Sequence, residues 1–469
     1  MKSLLSLALL TLVGCSVSAP ESRMGEVRND VPQRWAASAE AKAGIDTEWV
    51  SRIGGSRASS LVDTALASNP DMQIAAERVN RALAAAKTAG AAIKPQVSAG
   101  LNGTRTKQIF VGFPFGSGGV PSSISENYGA NLSVSWEPDI WGFKRAGQAA
   151  LIADAQAEAN ALRASRASLA AQVMRAWLAL AEANEQIGLA QGSDDLLKTT
   201  LEIVRERFMN ALSDEGGSAA QVRLAESEIA TNQALIAQEK GNREQAIRQL
   251  EVLMGRYPAG AIQSADQLPP VPPMPPAGLP SELLLRRPDI LEAERRFASA
   301  GSLLKQGKLA FYPSLTLTGR GGTTTDSLRK IFNSDFGVWS LASAVSQPIW
   351  AGGALWSEYD RLKSDDRSSL ARLQKTVLRA FGEVENALVA ERFLAERETA
   401  IAKALKSATE ATQAANDNYS GGTGDALTLI TAQSNQIKLA AQLVTLHRLR
   451  LDNRITLHLA LGGDYSVSK

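Results

Sequence analysis

The chain has few of the residues from which catalytic and metal centres are made. Among 469 residues there are two histidines, His447 and His458, and one cysteine, Cys15. That excludes a Cys/His zinc cluster and any disulfide within the chain. A Ser-His-Asp arrangement is poorly served as well, because both histidines fall late in one helical stretch, where they read as packing or helix-surface residues. A formal net charge of only +2 argues against a nucleic-acid partner, whose footprint is a basic excess. Aromatics make up 5% of a chain that is 44% hydrophobic and rich in alanine, a balance suited to long, closely packed helices. No nucleophile-base pair or ligand set emerges, so the expectation is a non-enzyme with no catalytic, cofactor-binding or metal residues.

Long apolar runs are also scarce, and the one at the start is short. "MKSLLSLALLTLVGC" places Lys2 before an apolar run from Leu4 to Val13, followed by Gly14 and Cys15. The run is too short for a spanning helix and reads as a secretory signal over residues 1–14. Leu12-Val13-Gly14-Cys15 resembles a bacterial lipobox, which implies that Cys15 carries a diacylglycerol and an N-acyl chain such as palmitate. Such chains would hold the protein firmly in a leaflet. Ser16 rather than an aspartate follows, which by resemblance to bacterial lipoproteins points to the outer membrane.

Proline is absent from two long stretches, between Pro138 and Pro258 and after Pro348. An interior proline costs a helix about 3 kcal/mol, so both stretches are free to be helical. Each is broken once by a glycine-bearing turn, "NALSDEGGS" at 210–218 and "NYSGGTGD" at 418–425. The two stretches are echoes of each other. "NPD…AER" from Asn69 returns as "RPD…AER" from Arg287, and Pro70 to Pro95 spans 25 residues, as does Pro288 to Pro313. "WEPDIWG" (136–142) is matched by "SQPIWAGG" (346–353), and Gly217 to Gly255 spans 38 residues, as does Gly424 to Gly462. Matched spacings in the same order identify a tandem duplication. Each copy is expected to hold a helical hairpin, its shorter arm completed by the helix near the Pro-Asp motif, about Ser59–Ile93 and Ser281–Phe311.

After Pro95 and Pro313 the apolar period changes from helical to two. "YGANLSVSW" (128–136) sets Tyr128, Ala130, Leu132, Val134 and Trp136 on one face, with Gly129, Asn131, Ser133 and Ser135 on the other. "VSAGLNGTRT" (97–106), "LTLTGR" (315–320) and "VWSLASAVS" (338–346) alternate similarly. Four strands, apolar on one face and small-polar on the other, are the pattern of a lipid-facing barrel. A half-buried soluble sheet is the competing reading. Trp136, Trp141, Trp339 and Trp350 lie in or just beyond the strands, where a membrane-interface girdle would sit. Four strands cannot close a barrel, and open edges in lipid leave backbone groups unpaired, so the barrel must be shared between subunits.

The residues that carry a family resemblance are now in view: Leu12–Cys15, "ALASNPD" (65–71), "WEPDIWGFKR" (136–145), "GLPSELLLRRPDILEAER" (278–295), "YPSL" (312–315), "QPIWAGG" (347–353) and "LTLITAQ" (427–433). Across essentially the whole mature chain they resemble the outer-membrane factor, or outer-membrane efflux protein, family (TolC-like), in its lipoprotein branch. The resemblance implies a homotrimer, mainly α with a membrane β-barrel: a 12-stranded β-barrel, four strands per chain, continuous with a long periplasmic α-helical barrel. It implies an exit duct of a tripartite efflux pump, with outer-membrane lipid, a periplasmic adaptor (membrane fusion) protein and an inner-membrane transporter as partners. The lipoprotein form leans towards a resistance-nodulation-division transporter. A type I protein-secretion duct shares the fold and stands as the alternative. A lipid-anchored periplasmic coiled-coil scaffold would explain the helices but not the strands.

The expected map has a signal peptide at 1–14, a lipid-anchored extended arm at 15–57 and a first repeat at 58–255. That repeat holds a short helix, strands 97–107 and 128–136, a long helix 142–210 and a return helix 218–255. A Pro-rich equatorial linker follows at 256–280. The second repeat, 281–463, holds a short helix, strands 314–323 and 337–347, a long helix 353–417 and a return helix 425–461, before a tail at 464–469. The resemblance places the two hairpin turns at the periplasmic gate and adaptor tip. The candidates there are Arg207, Asp214 and Glu215 in the first copy, and Asp417, Tyr419 and Asp425 in the second. A ring of carboxylates at a narrow pore favours cations. Asp425 reads equally as a helix cap. The sequence departs from the family at Ala211, where glycine is usual, at the longer first turn and at Thr431, often acidic in relatives.

Overall fold

Pro70 and Pro288 both stand at the first position of a helix, where a missing N–H costs nothing and a fixed φ helps. In the computed structural model, which describes residues 17–27, 31–32, 34–37, 48–111, 121–210, 218–262, 267–275, 277–278 and 280–463, one element order occurs twice. The first copy runs α1 (Trp49–Ser68), α2 (Pro70–Ala91), β1 (Gln96–Ile109), β2 (Ser122–Trp136), α3 (Phe143–Asn210) and α4 (Ala219–Leu253). The second runs α5 (Pro280–Arg286), α6 (Pro288–Leu309), β3 (Ser314–Thr323), β4 (Gly337–Ser346), α7 (Ala354–Ser420) and α8 (Ala426–Ala460). The chain divides into two units. One comprises Met1–Val27, Arg78–Glu158 and Ala293–Leu373; the other comprises Arg28–Glu77, Ala159–Glu292 and Gln374–Lys469.

The first unit holds one four-stranded antiparallel sheet in the order β1-β2-β3-β4. Its registers align apolar residues in rows across the sheet: Val97, Val134, Gly319 and Leu341, then Ala99, Leu132, Gly321 and Trp339. On this face Val97, Leu101, Leu132, Trp339, Leu341 and Val345 are all exposed in the single chain. No described helix is long and apolar enough to cross a membrane. β1 and β2 extend further than their alternation marks, β1 ending at Ile109 rather than 107 and β2 starting at Ser122 rather than 128. Arg295 and Arg296 of α6 bond Gln156 and Glu158 of α3 at 3.2 and 2.6 Å. Arg23 lies 3.7 Å over the Phe297 ring, fixing the 17–27 segment against α6.

In the second unit Trp49, Val50 and Ile53 of α1 pack with Met174, Trp177 and Leu178 of α3, Leu250 of α4, and Leu451 and Ile455 of α8. This corrects the expected arm at 15–57: its last stretch is the start of a helix, and Trp49 is fully buried. Trp49, Val50 and Ile53 fall on one helical face, and that face is buried by residues distant in the chain. Trp49 stacks on His458, rings 5.9 Å apart, which makes His458 a packing residue. His447 bridges Glu398 at 3.2 Å and the Pro269 carbonyl at 2.8 Å. Arg454 donates to the Pro272 carbonyl at 3.2 Å, so α8 fastens the proline-rich segment, which has few N–H groups of its own to offer.

The expected single helices at 59–93 and 281–311 are each two, broken at Asn69 and Arg287. A residue before proline is driven out of the α region, and Asn69 is extended at φ −68°, ψ 127°. Both break residues have a task. The Asn69 amide donates to the Leu253 carbonyl at 2.9 Å, and the Arg287 guanidinium donates to the Ala460 carbonyl at 3.0 Å. Each caps the C-terminus of its own repeat's return helix. Both return helices end alike: Arg256 and Gly463 donate back to the carbonyls of Glu251 and His458, with Gly255 and Gly462 at φ 67° and 80°.

Candidate functional site: the hairpin tips

The turn between α7 and α8 is built from three glycines, Thr423 and Asp425. Asp425 is the N-cap of α8, its carboxylate accepting from the Thr428 N–H at 3.2 Å. Gly424 lies tight against the preceding helix end, where an added Cβ would come 2.7 Å from the Tyr419 nitrogen. Ser218 caps α4 in the other copy through a reciprocal capping box with Gln221. Gln221 then reaches across the repeats, its amide donating to Asp425 at 3.1 Å.

A second link joins the copies one turn away. Arg207, in the last turn of α3, donates to the carbonyls of Tyr419 and of Ser420, the latter at 3.3 Å. Its guanidinium lies 4.1 Å over the Tyr419 ring. A cation at the end of α7 meets the negative end of that helix and bonds carbonyls that have no partner within it. Tyr419 is buried with Val204, Ala426 and Leu429, and this burial pushes its hydroxyl pKa up. Asp417 accepts from Gln413 at 2.9 Å on its own helix and joins neither link. Asp214, Glu215 and Ala211 lie outside the described residues, as does Cys15.

The structure therefore places Arg207, Tyr419 and Asp425 in contacts that join the two hairpin turns and leaves Asp417 outside them. Gln221 was not among the sequence candidates, although the Ser218–Gln221 spacing is a capping-box signal. Two buried polar contacts behind the tip also escaped notice. Gln433 donates to Thr200 at 2.9 Å, and Asn232 donates to the Ala190 carbonyl at 2.8 Å. Farther along, buried Glu391 accepts from Arg450 at 2.8 Å and Arg454 at 3.0 Å. Lone polar residues in alanine-rich helices carry no sequence signal that separates them from a solvated face.

Of the girdle candidates, the Trp136 indole donates to the Ile93 carbonyl at 2.9 Å and the Trp141 indole to the Pro313 carbonyl at 2.8 Å. Trp339 and Trp350 are among the most exposed large residues of the chain, at 80% and 84%. Two indoles thus anchor the strand-to-helix joints, while two project outward.

An internally duplicated chain with an open amphipathic sheet and paired helical hairpins has the makings of one subunit of an outer-membrane channel. The sequence model of the outer membrane efflux protein family matches residues 61–256 and 279–463, and the chain belongs to that family. It is 28% identical over 478 residues to the antibiotic efflux pump outer membrane protein ArpC of Pseudomonas putida, covering 99% of this chain and 96% of that one. It is 25% identical over 464 residues to the cation efflux system protein CusC of Escherichia coli O6:H1, covering 97% of each. Among solved structures, the outer-membrane channel OprN superposes with a TM-score of 0.87 at 23% identity, covering 96% of this chain and 99% of that one. The open state of the MtrE outer membrane channel of Neisseria gonorrhoeae gives 0.81 at 26% identity, covering 97% and 99%.

Proposed function

We propose that three copies of this chain form the outer-membrane exit duct of a tripartite efflux pump, conducting small molecules passively out of the periplasm. The observation that carries this reading is similarity along the full length of both repeats to proteins named as efflux pump components. An open sheet supports the shared barrel, because its two edge strands would otherwise leave unpaired backbone groups in lipid. Energy comes from an inner-membrane transporter of the resistance-nodulation-division type, and a periplasmic adaptor docks on the hairpin tips. Cys15 carries the acyl chains, and Trp339 and Trp350 lie at the membrane interface. The Arg207–Tyr419 and Gln221–Asp425 links hold the tip shut at rest.

Deleting the gene should sensitise cells to a set of toxic small molecules and leave the secreted proteome unchanged. A lost secreted protein with unchanged sensitivities would instead identify a type I secretion duct. Purified protein should form ion-conducting pores in planar bilayers, and a non-conducting product would point to a scaffold. Metabolic labelling with palmitate should mark the wild type and not Cys15→Ala.

A further inference from the structure

We propose that β4 of one copy pairs antiparallel with β1 of the next in one defined register: Val345 opposite Leu101, Leu341 opposite Arg105, Trp339 opposite Lys107. The inference rests on the shared-barrel reading above and goes beyond it, because closure alone leaves the register open.

The first argument is the phase of the free backbone groups. Tyr128 and Thr325 exchange both N–H···O bonds at 2.8 Å, continuing the β2–β3 register, and Thr324 donates to Phe336 at 3.1 Å, continuing the β3–β4 register. In an antiparallel sheet, alternate residues turn both backbone groups to the same neighbour. Even-numbered residues of β4 therefore bond β3, and Gly337, Trp339, Leu341, Ser343 and Val345 point outward. By the same alternation, even-numbered residues of β1 bond β2, and the odd-numbered ones from Val97 to Ile109 point outward.

The second argument is the duplication. Trp136 donates its side-chain N–H to the Ile93 carbonyl, and Gln347 donates its amide to the Phe311 carbonyl, each at 2.9 Å. Trp136 thus corresponds to Gln347, and Ile93 to Phe311. The registers agree, since Gln96 faces Ser135 as Ser314 faces Ser346. The β2–β3 junction joins the end of one repeat's hairpin to the start of the next. The β4–β1 junction between copies is the same joint, repeated. In the observed junction Trp136 faces Leu317 and Asn131 faces Gly322. Carried over by the correspondence, Gln347 faces Ala99 and Ala342 faces Thr104. All of β4 then pairs with residues 100–109 of β1.

The register taken from the duplication agrees with the phase of the free backbone groups and with side-chain pairings that entered neither argument. It sets outward-pointing residues of β4 against outward-pointing residues of β1, whereas a slip of one residue sets free groups against bonded ones. Val345 meets Leu101 on the apolar face, and the Trp339 ring meets the Lys107 ammonium, an attractive pair. On the opposite, small-polar face Ala344 meets Asn102.

Cysteine pairs test it in intact outer membranes. Ala344→Cys with Asn102→Cys falls at a pair without reciprocal hydrogen bonds, Cα atoms about 4.5 Å apart, within disulfide reach. Ala342→Cys with Thr104→Cys is a second such pair. Partners two residues off register, Ala344→Cys with Gly100→Cys or with Thr104→Cys, are about 7–8 Å apart on the diagonal. Each single variant controls for Cys15, and native gels report assembly. Under mild oxidation the in-register pairs should link chains several-fold more than the slipped ones. Stronger linkage of a slipped pair, or no linkage of any pair in an intact oligomer, overturns the register alone. Absence of any oligomer overturns the shared barrel and the register together.

Discussion

The guanidinium of Arg207 sits 4.1 Å over the ring of Tyr419 while donating to the Tyr419 carbonyl, so one side chain from the first repeat closes the helix end of the second. A cation at a helix C-terminus is worth about 0.3–1 kcal/mol, more where partly buried. Arg207→Ala should loosen the tip and raise single-channel conductance in planar bilayers, with Arg207→Lys intermediate, because a point charge cannot reproduce the planar stacking.

Asp425 offers a separation of charge from capping. Asp425→Ala removes an N-cap, costing about 1 kcal/mol, together with the Gln221 bond, and should raise conductance. Asn caps as well as Asp, so Asp425→Asn should keep conductance near wild type. A shift in cation selectivity with Asp425→Asn would show that the carboxylate itself faces the permeating ions. Unchanged conductance and selectivity in both variants would remove Asp425 from the gate.

The two residues before the helix-opening prolines do equivalent work at different cost. Asn69→Ala deletes two hydrogen bonds, one to the Leu253 carbonyl and one accepted from the Asp71 N–H at 2.8 Å, and should lower stability by about 1–2 kcal/mol. Arg287 is buried and pairs with Asp289 and Glu383, each at 2.7 Å, besides capping at Ala460. Removing one member of a buried charge group costs about 3 kcal/mol or more, so Arg287→Ala should lower the melting temperature well beyond Asn69→Ala. Thermal unfolding of the two variants side by side checks the order.

Glu251 gives a pH dependence. The Gly260 N–H at 2.8 Å, with the Ala261 N–H beside it, holds this carboxyl below the ordinary carboxylate range. A depressed folded-state value stabilises above the unfolded pKa of about 4.3 and is lost as pH falls through the folded value. The melting-temperature gap between wild type and Glu251→Gln should therefore be widest near neutral pH and shrink under acid. A gap that stays constant into acid would mean that the carboxylate charge contributes nothing.

Much of the fold was legible because it was written in period and punctuation. Pro70 and Pro288 open helices wherever they occur, and period-two alternation from Tyr128 to Trp136 has one structural meaning at a sheet. The misreadings came where local signals are silent. Trp49 reads as part of an arm because nothing nearby says that its indole meets His458, some 400 residues later in the chain. Tyr128 reads as the start of β2 because the "SSISEN" before it holds a single apolar residue, Ile124, too few to show alternation, and only pairing with Thr104 to Ile109 makes it a strand.

The sequence by itself determined the duplication, the helical hairpins and the amphipathic sheet, since each follows from spacing within a few tens of residues. The tertiary structure alone decided which polar groups meet: Arg207 with Tyr419, Gln221 with Asp425, Arg287 with Ala460. Those partners come from opposite repeats or opposite ends of one, and hydrogen bonds act over about 3 Å of space rather than along the chain.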